Sequence, residues 1–439
     1  MDVDVVVLGG GAVGENVAGR TAAGGLSTVM IEAELIGGEC SYWACMPSKA
    51  LLRPGHARVA AQRVPGIPVG PLQAGAVLKR RNEFTSNWDD SSQVKWAQDN
   101  DITIVRGRGE VTGEREVTVG GDLYRARHAV VVCTGSVPKM PPLHGIGDVP
   151  VWTSREATSA QEVPESLVVL GGGVVGVEMA QAWARLGSNV QLVISGEHPL
   201  PRFEDFVGPM VVDGLREDGV EIHQNAKATA LAPGTLTLDD GREVCGERIL
   251  IATGRRPNTK DGKPLAVDDT GLVSGVDGRW LYAAGDVTGR VMLTHQGKYL
   301  ARAVGSAIVM RAKGEEPEPW SAGQASADHV AVPQVVFTDP EVASVGKTSR
   351  ESDGKVIDLD IAVAGSSLHA DGYRGKARMI VEDGRLSGVT FVGQDVAELL
   401  HAATVAIVGR VPVERLWHAV PSYPTISEVW LRLLEEYGL

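Results

Sequence analysis

The chain has 439 residues, 43% of them hydrophobic, and carries a formal net charge of −13 at pH 7. This length suits two to four domains with large cores, and the acidic balance argues against nucleic acid or an anionic membrane as a partner. No apolar run reaches the roughly 18 residues of a membrane-spanning helix, and an apolar strand begins within five residues of Met1, which indicates that no signal peptide precedes it.

A glycine-rich turn follows the first apolar run. Residues 3–8 read as a buried parallel strand, and Gly9, Gly11 and Gly14 come directly after it, opening a predicted helix. A second predicted strand ends at Glu32. Such glycines let backbone amides approach a pyrophosphate, and the acid takes the ribose hydroxyls. The pattern therefore predicts a first dinucleotide-binding unit.

Two of the four cysteines, Cys40 and Cys45, lie in the stretch GGECSYWACMPSK at residues 37–49, called here the cysteine segment. Thiols this close indicate a redox disulfide or a metal site, but zinc needs two further ligands and the other cysteines, Cys133 and Cys245, stand alone. One close pair without a disulfide framework favours a reducing compartment, so we expect a cytoplasmic protein.

A regular helix cannot join the two sulfurs, because residues five apart face different sides and disulfide Cβ atoms lie within about 4 Å of each other. We therefore expect a distorted turn at Cys40 and a helix over about 47–63. Free amides at the start of that helix favour a thiolate on Cys45, and Lys49 can share its face.

The cysteine segment resembles the redox-active segment of the flavin-dependent pyridine nucleotide-disulfide oxidoreductases, which include glutathione reductase, lipoamide dehydrogenase and mercuric reductase. It departs from the pattern in having Glu39 for a threonine and the aromatic pair Tyr42 and Trp43 between the cysteines. The resemblance implies that hydride passes from NAD(P)H to FAD and that electrons then reach the disulfide. It also implies that Cys45 lies nearer the flavin and that Cys40 attacks the substrate.

The middle of the chain repeats the nucleotide pattern. A buried strand over 129–135 ends in a turn at Gly135, which the resemblance places near the flavin, and Cys133 within it reads as core. An apolar run then precedes a second set of motif glycines. These are Gly171, Gly173 and Gly176. Two such units imply two dinucleotides, FAD in the first and NAD(P)H in the second.

The second unit has no acid where NAD-dependent relatives carry one. Ile194 holds that position, and Ser195 stands where NADPH-dependent members place an arginine. His198 and Arg202 follow and can meet a 2′-phosphate, although both also suit a solvated surface. We therefore expect NADPH, with NADH possible.

Other site residues follow from the resemblance. Glu178 corresponds to a glutamate that pairs with the lysine of PSK, here Lys49. The run RILIATGRRPN at 248–258 gives a strand and a turn at Gly254. A later strand delivers Asp286, whose carboxylate would accept from the ribitol hydroxyls of FAD.

The C-terminal part reads as an α+β domain, with alternating strands followed by helices after a polar linker over 312–328. Its counterpart in the family forms the dimer interface and carries a catalytic histidine across to the other subunit. Here that position is Tyr423, with Glu428 five residues on. His418 is an alternative that reads more simply as a surface residue. Tyrosine ordinarily has a pKa near 10, so Tyr423 suits donation to a leaving thiolate better than deprotonation of a thiol.

These observations predict an α/β fold with two Rossmann-like dinucleotide-binding domains and a C-terminal α+β dimerisation domain. The expected division is 1–150 with 266–325 for FAD, 151–265 for NAD(P), and 326–439 for the interface. The leading hypothesis is a homodimeric NAD(P)H:disulfide oxidoreductase acting on a small-molecule or thiol/disulfide substrate. Reduction of a metal ion or a quinone, and a redox sensor with negligible turnover, remain as alternatives.

Overall fold

The structure is a computed structural model that describes residues 1–439. It divides into two compact units, one built from residues 1–47, 81–139 and 254–328 and the other from residues 48–80, 140–253 and 329–439. The mixed α/β architecture, with parallel sheets followed by an antiparallel sheet, confirms the predicted fold class.

The α-helices and the 3₁₀ turns alternate with strands through most of the chain. The α-helices are Ala12–Ala23, Gly38–Tyr42, Cys45–Gln62, Ala74–Phe84, Ser91–Asp99, Ser154–Ser159, Val174–Arg185, Val207–Glu217, Thr294–Ala312, Ala364–His369, Leu400–Val408, Val413–Leu416 and Glu428–Tyr437. The 3₁₀ turns are Ser86–Trp88, Asp286–Thr288, Ser326–His329 and Val396–Leu399.

The strands form five sheets. They are Asp2–Leu8, Thr28–Glu32, Ile102–Arg106, Gly109–Gly113, Glu116–Val119, Asp122–Val132, Ser136–Pro138, Ser166–Leu170, Asn189–Val193, Glu221–His223, Ala228–Ala232, Thr235–Leu238, Glu243–Cys245, Arg248–Ile251, Arg255–Pro257, Leu281–Ala283, Gln334–Val336, Glu341–Gly346, Lys355–Asp360, Lys376–Glu382 and Arg385–Gly393.

The first unit is organised around the strand Asp2–Leu8. This strand pairs in parallel with Thr28–Glu32 on one side and Asp122–Val132 on the other, within a seven-stranded sheet. Val5, Val6 and Val7 are fully buried, as expected for a parallel strand covered on both faces. The carboxyl end of the strand therefore presents the glycine turn at one edge of the sheet.

The second unit repeats this arrangement. The strand Ser166–Leu170 pairs in parallel with Asn189–Val193 and Arg248–Ile251 in a four-stranded sheet. A five-stranded antiparallel sheet at residues 334–393 then packs against the C-terminal helices around a separate apolar core. Strands mostly of four to seven residues, rich in branched apolar side chains, form the parallel sheets of both units. These side chains fill the space between sheet and helix.

Two local expectations differ from the structure. The end of the segment predicted as a polar linker over 312–328 is packed, whereas residues 313–316 and 318–320 are exposed. Ala325 is fully buried, and its amide donates to the carbonyl of Asp269 at 2.8 Å. The helix after the cysteine segment begins at Cys45, two residues before Pro47. Proline is compatible with this start because a first-turn residue needs no intrahelical N–H bond.

Candidate active site

The first glycine turn has the shape that a dinucleotide phosphate requires. Gly9 has φ +101°, and a Cβ on Gly14 would lie 1.8 Å from the Gly9 carbonyl oxygen, so both positions require glycine. Gly11 stays open, since a Cβ there would meet no atom closer than 3.7 Å. The Glu32 carboxylate accepts from the Gly10 amide at 2.6 Å, which fixes the acid beside the turn.

The cysteine segment breaks between its two sulfurs. A helix covers Gly38–Tyr42, Trp43 leaves helical geometry, and the next helix starts at Cys45. No disulfide joins Cys40 and Cys45 in the structure. A hydrogen bond with the Cys45 sulfur, followed by burial, raises the pKa of Cys40.

A helix from the far end of the unit supports the thiols. The hydroxyl of Thr294, at the start of the helix Thr294–Ala312, lies 3.1 Å from the Cys45 sulfur. Thr294 and Lys298 also act on Cys40, where their effect opposes the rise in pKa. Sequence reasoning missed both residues.

Tyr42 is held in place by a turn of left-handed residues. Tyr42 is buried, and its carbonyl accepts from the indole N–H of Trp88 at 3.2 Å. Trp88 ends a run of three left-handed residues that begins at Ser86, with φ values of 50°, 51° and 59°. Left-handed backbone costs about 1–2 kcal/mol for each non-glycine residue, so the packing around the cysteine segment must offset this strain.

Glu39, the departure from the family pattern, forms an ion pair. The guanidinium of Arg255 lies 2.6 Å from its carboxylate. Arg255 also donates to the hydroxyl and the carbonyl of Ser136, each at 2.7 Å, and the Ser136 hydroxyl donates to Asp286 at 2.6 Å. The acid predicted for the flavin ribitol is thus linked to the residue before Cys40.

Gly135 and Gly254 flank this arrangement. They have φ values of 72° and 115°, and each precedes a short strand. The strands Ser136–Pro138 and Arg255–Pro257 pair antiparallel, which places Ser136 opposite Pro257. The two glycines therefore serve as turns that let the strands meet.

The second glycine turn has the same geometry as the first. A Cβ on Gly176 would lie 1.9 Å from the Gly171 carbonyl oxygen, and Gly171 itself has φ +121°. Gly173 is exposed and a Cβ there would meet nothing within 4 Å. This leaves room for a phosphate beside the helix that begins at Val174.

The loop after the strand Asn189–Val193 carries the residues expected to choose the nucleotide. Ile194 is buried in the core, whereas Ser195 and Arg202 are exposed. The ring of His198 lies 3.7 Å from the Glu197 carboxylate, and its Nδ1 is buried without a partner. Sequence reasoning overlooked Glu197, which supplies an acid three residues after the position that Ile194 fills.

Lys49 and Glu178 meet as the resemblance implies. Their side chains form a salt bridge of 2.7 Å, in which the Glu178 side chain is 3% exposed and that of Lys49 36% exposed. Glu178 also accepts from the amide of Phe337 at 2.9 Å, and the ammonium of Lys49 lies 4.9 Å from the Phe337 ring. Glu178 is therefore a buried carboxylate neutralised by a partly exposed lysine.

The C-terminal candidates are not joined to each other. Tyr423 is 77% exposed, whereas Glu428 is 7% exposed at the start of the last helix. No hydrogen bond links the two side chains, and Glu428 Oε2 is buried without a partner. His418 lies exposed nearby, in line with its surface reading.

The two remaining cysteines differ in their exposure. Cys133 is 6% exposed and burial raises its pKa to about 12, which confirms its core role. Cys245 is exposed at the end of a strand. No group of three or more His, Cys, Asp or Glu side chains is arranged to hold a metal ion. None of the helices is both long and apolar enough to cross a membrane.

Two dinucleotide turns and a close dithiol define the class as a two-nucleotide oxidoreductase. Residues 3–300 match the sequence model of the pyridine nucleotide-disulphide oxidoreductases, and residues 332–433 match the dimerisation domain of the same family. The chain belongs to this family. It is accordingly an FAD-dependent oxidoreductase that uses a pyridine nucleotide and acts on a sulfur group, and the dimerisation domain indicates a homodimer.

Individual relatives carry several activities. The chain is 31% identical to a mercuric reductase of Acidithiobacillus ferrooxidans, over 97% of this chain and 81% of the relative. It is 28% identical to a dihydrolipoyl dehydrogenase of Haloferax volcanii, over 98% and 95%. The HOCl-induced flavoprotein disulfide reductase RclA of Escherichia coli has the same fold, with a TM-score of 0.82, 23% identity and coverage of 98% and 99%.

Proposed function

We propose that this chain reduces a disulfide substrate with electrons from NADPH, with Cys45 facing the flavin and Cys40 attacking the substrate. The observation that carries the assignment is the hydrogen bond between the two thiols, which raises the pKa of Cys40. In a reduced pair with one proton, that proton rests on Cys40 and the charge on Cys45. Glu32, Asp286 and the first glycine turn would hold FAD, which when bound passes two electrons from the nicotinamide to the disulfide.

The chemistry of the chain then balances as two thiol exchanges. Cys40 loses its proton and its thiolate attacks one substrate sulfur, expelling the first product thiolate and leaving a mixed disulfide. Cys45 thiolate attacks the Cys40 sulfur, re-forms the intramolecular disulfide and expels the second product thiolate. The two product thiolates take up the proton released by Cys40 and one proton from water, so one substrate disulfide becomes two thiols.

We assign the proton donor of the first exchange to Tyr423 of the other subunit. Tyr423 and its neighbour Val420 are 77% and 83% exposed, an unusual position for apolar side chains unless a partner covers them. The orphaned oxygen of Glu428 supports the same inference, because buried polar atoms normally have a partner. A homodimer would cover this surface.

Mixed dimers test the assignment. Tyr423→Phe keeps the ring and removes the proton, so disulfide reduction should slow by roughly ten- to a thousandfold, while flavin reduction by NADPH should stay near normal. Dimers of Tyr423→Phe and Cys40→Ser subunits should recover one intact site of two, although each parent homodimer is poor. If mixing restores no activity, Tyr423 does not act across the interface.

The electron acceptor that we propose is a small disulfide. Relatives include a mercuric reductase, so metal-ion reduction is the second candidate, but the chain presents no preassembled cluster of metal-binding side chains. An anaerobic screen of small disulfides, quinones and metal ions with both nucleotides separates the candidates. Turnover with a disulfide supports the proposal, whereas negligible turnover with every acceptor favours a redox sensor.

The domain division completes the proposal. FAD would bind residues 1–150 and 266–325, the nicotinamide nucleotide residues 151–265, and the second subunit residues 326–439. Limited proteolysis with and without each cofactor tests the division, because each bound nucleotide should protect its own domain from cleavage.

A further inference from the structure

Glu39 occupies the position directly before Cys40, where the family pattern has a threonine. An unpaired carboxylate beside a thiol would oppose formation of its thiolate. Glu39 is instead neutralised by the guanidinium of Arg255 at 2.6 Å, and both side chains are less than a quarter exposed. The charge next to Cys40 is therefore balanced by a residue that lies 216 positions further along the chain.

Arg255 is held in a fixed direction by its other bonds. Its Nε donates to the Ser136 hydroxyl and its Nη2 to the Ser136 carbonyl, each at 2.7 Å. The Ser136 hydroxyl in turn donates a hydrogen bond to Asp286 at 2.6 Å. These three residues stand on two paired strands and the turn that begins at Asp286, so Glu39 is the only member of the chain of contacts that belongs to the cysteine segment.

We propose that Glu39 is a positioning residue that couples flavin binding at Asp286 to the reactivity of Cys40. A flavin ribitol hydroxyl that donates to Asp286 competes with the Ser136 hydroxyl for the same carboxylate. Ser136 also accepts from Arg255, so this competition changes the hold of Arg255 on Glu39. Coupling between two sites is reciprocal, and a change at Glu39 must therefore alter both flavin release and the titration of Cys40.

The charge balance gives the direction of the effect. Glu39→Gln leaves the positive charge of Arg255 uncompensated beside the cysteine segment. A nearby positive charge favours the thiolate, so the pH midpoint of Cys40 alkylation should fall by at least half a pH unit. Loss of the ion pair should also speed FAD release by roughly five- to fiftyfold, which is within the range that loss of a charged hydrogen bond produces.

The experiment follows FAD fluorescence on release and iodoacetamide alkylation of the Cys40 peptide across pH, both in reduced holoprotein. Glu110→Gln, an exposed carboxylate of the same unit, is the matched control. The double change Glu39→Gln with Arg255→Gln should still release FAD quickly, yet return the Cys40 midpoint toward that of the parent protein, because it removes both charges.

Two outcomes overturn the proposal. One is a Glu39→Gln protein that matches the Glu110→Gln control in FAD release. The other is faster release with an unchanged Cys40 midpoint, which would make Glu39 a purely structural contact. The inference rests on the flavin chemistry of the family but needs no substrate, so failure of the acceptor screen would leave these measurements intact.

Discussion

The pair of Lys49 and Glu178 allows a test in which the two partners should respond unequally. Changing Lys49 to Met leaves a carboxylate that is 3% exposed with one backbone donor, the amide of Phe337. Stranding such a charge should cost about 2–4 kcal/mol in free energy of unfolding. Changing Glu178 to Gln should cost only about 1 kcal/mol, because Lys49 is 36% exposed and its ammonium can reach water.

A double-mutant cycle isolates the interaction. The Lys49→Met, Glu178→Gln double variant no longer buries an unpaired charge, so it should be more stable than the Lys49→Met single variant. Its loss should fall short of the sum of the single losses by about 1–3 kcal/mol. Urea unfolding of the apoprotein, followed by tryptophan fluorescence, measures these differences without a contribution from bound FAD.

The refuting result is additivity. If the two single losses sum to the double loss within about 0.5 kcal/mol, the side chains do not interact in solution as they do in the structure. A Glu178→Gln protein that loses more stability than Lys49→Met would also contradict the reasoning, since it would place the cost of burial on the wrong partner.

Three further outcomes are expected. One equivalent of reductant should produce a long-wavelength charge-transfer band. Cys45→Ser should abolish this band, and Cys40→Ser should show it without reduction. The opposite behaviour of the two variants would mean that the roles of the cysteines are reversed. NADPH should be preferred only modestly in steady-state kinetics, because buried Ile194 offers no acid to NADH while Glu197 opposes a 2′-phosphate; a hundredfold preference for NADH would contradict this. Burial, with nearby carboxylates, raises the pKa of Glu341 to about 7, so the folded state holds this proton and stability is lost as pH rises from about 4.5 to 7. Glu341→Gln should therefore raise urea resistance above pH 7 and change it little near pH 4.5; an equal effect at both pH values would exclude this titration.

The features predicted best from the sequence are those with local causes. The turns at Gly9 and Gly171 follow from a short apolar strand and fixed glycine spacing, and the break before Cys45 follows from the geometry that joins two sulfurs. The bond between Lys49 and Glu178 spans 129 positions and was reached only through the resemblance. No periodic pattern specifies a contact at that distance.

Other contacts left no signal in the pattern of residues. The link from Glu39 to Arg255 depends on how two strands at 136–138 and 255–257 align, and alignment of distant strands is set by the whole fold. The polar stretch over 312–328 reads as linker, yet its end is anchored, because the amide of buried Ala325 donates to the carbonyl of Asp269. The polar composition of this stretch predicts exposure to solvent, but it does not reveal a backbone hydrogen bond that fixes the end of the stretch.

The left-handed turn that ends at Trp88 has a consequence for chimeric reductases. The indole N–H of Trp88 donates to the carbonyl of Tyr42, which lies 46 residues earlier in the chain. The conformation of the cysteine segment therefore depends partly on residues outside the segment. A graft of residues 37–49 into a homologous scaffold would therefore lack the hydrogen bond from Trp88. Exchange of residues 81–88 together with the cysteine segment would keep this hydrogen bond, so the two stretches are better exchanged together than singly.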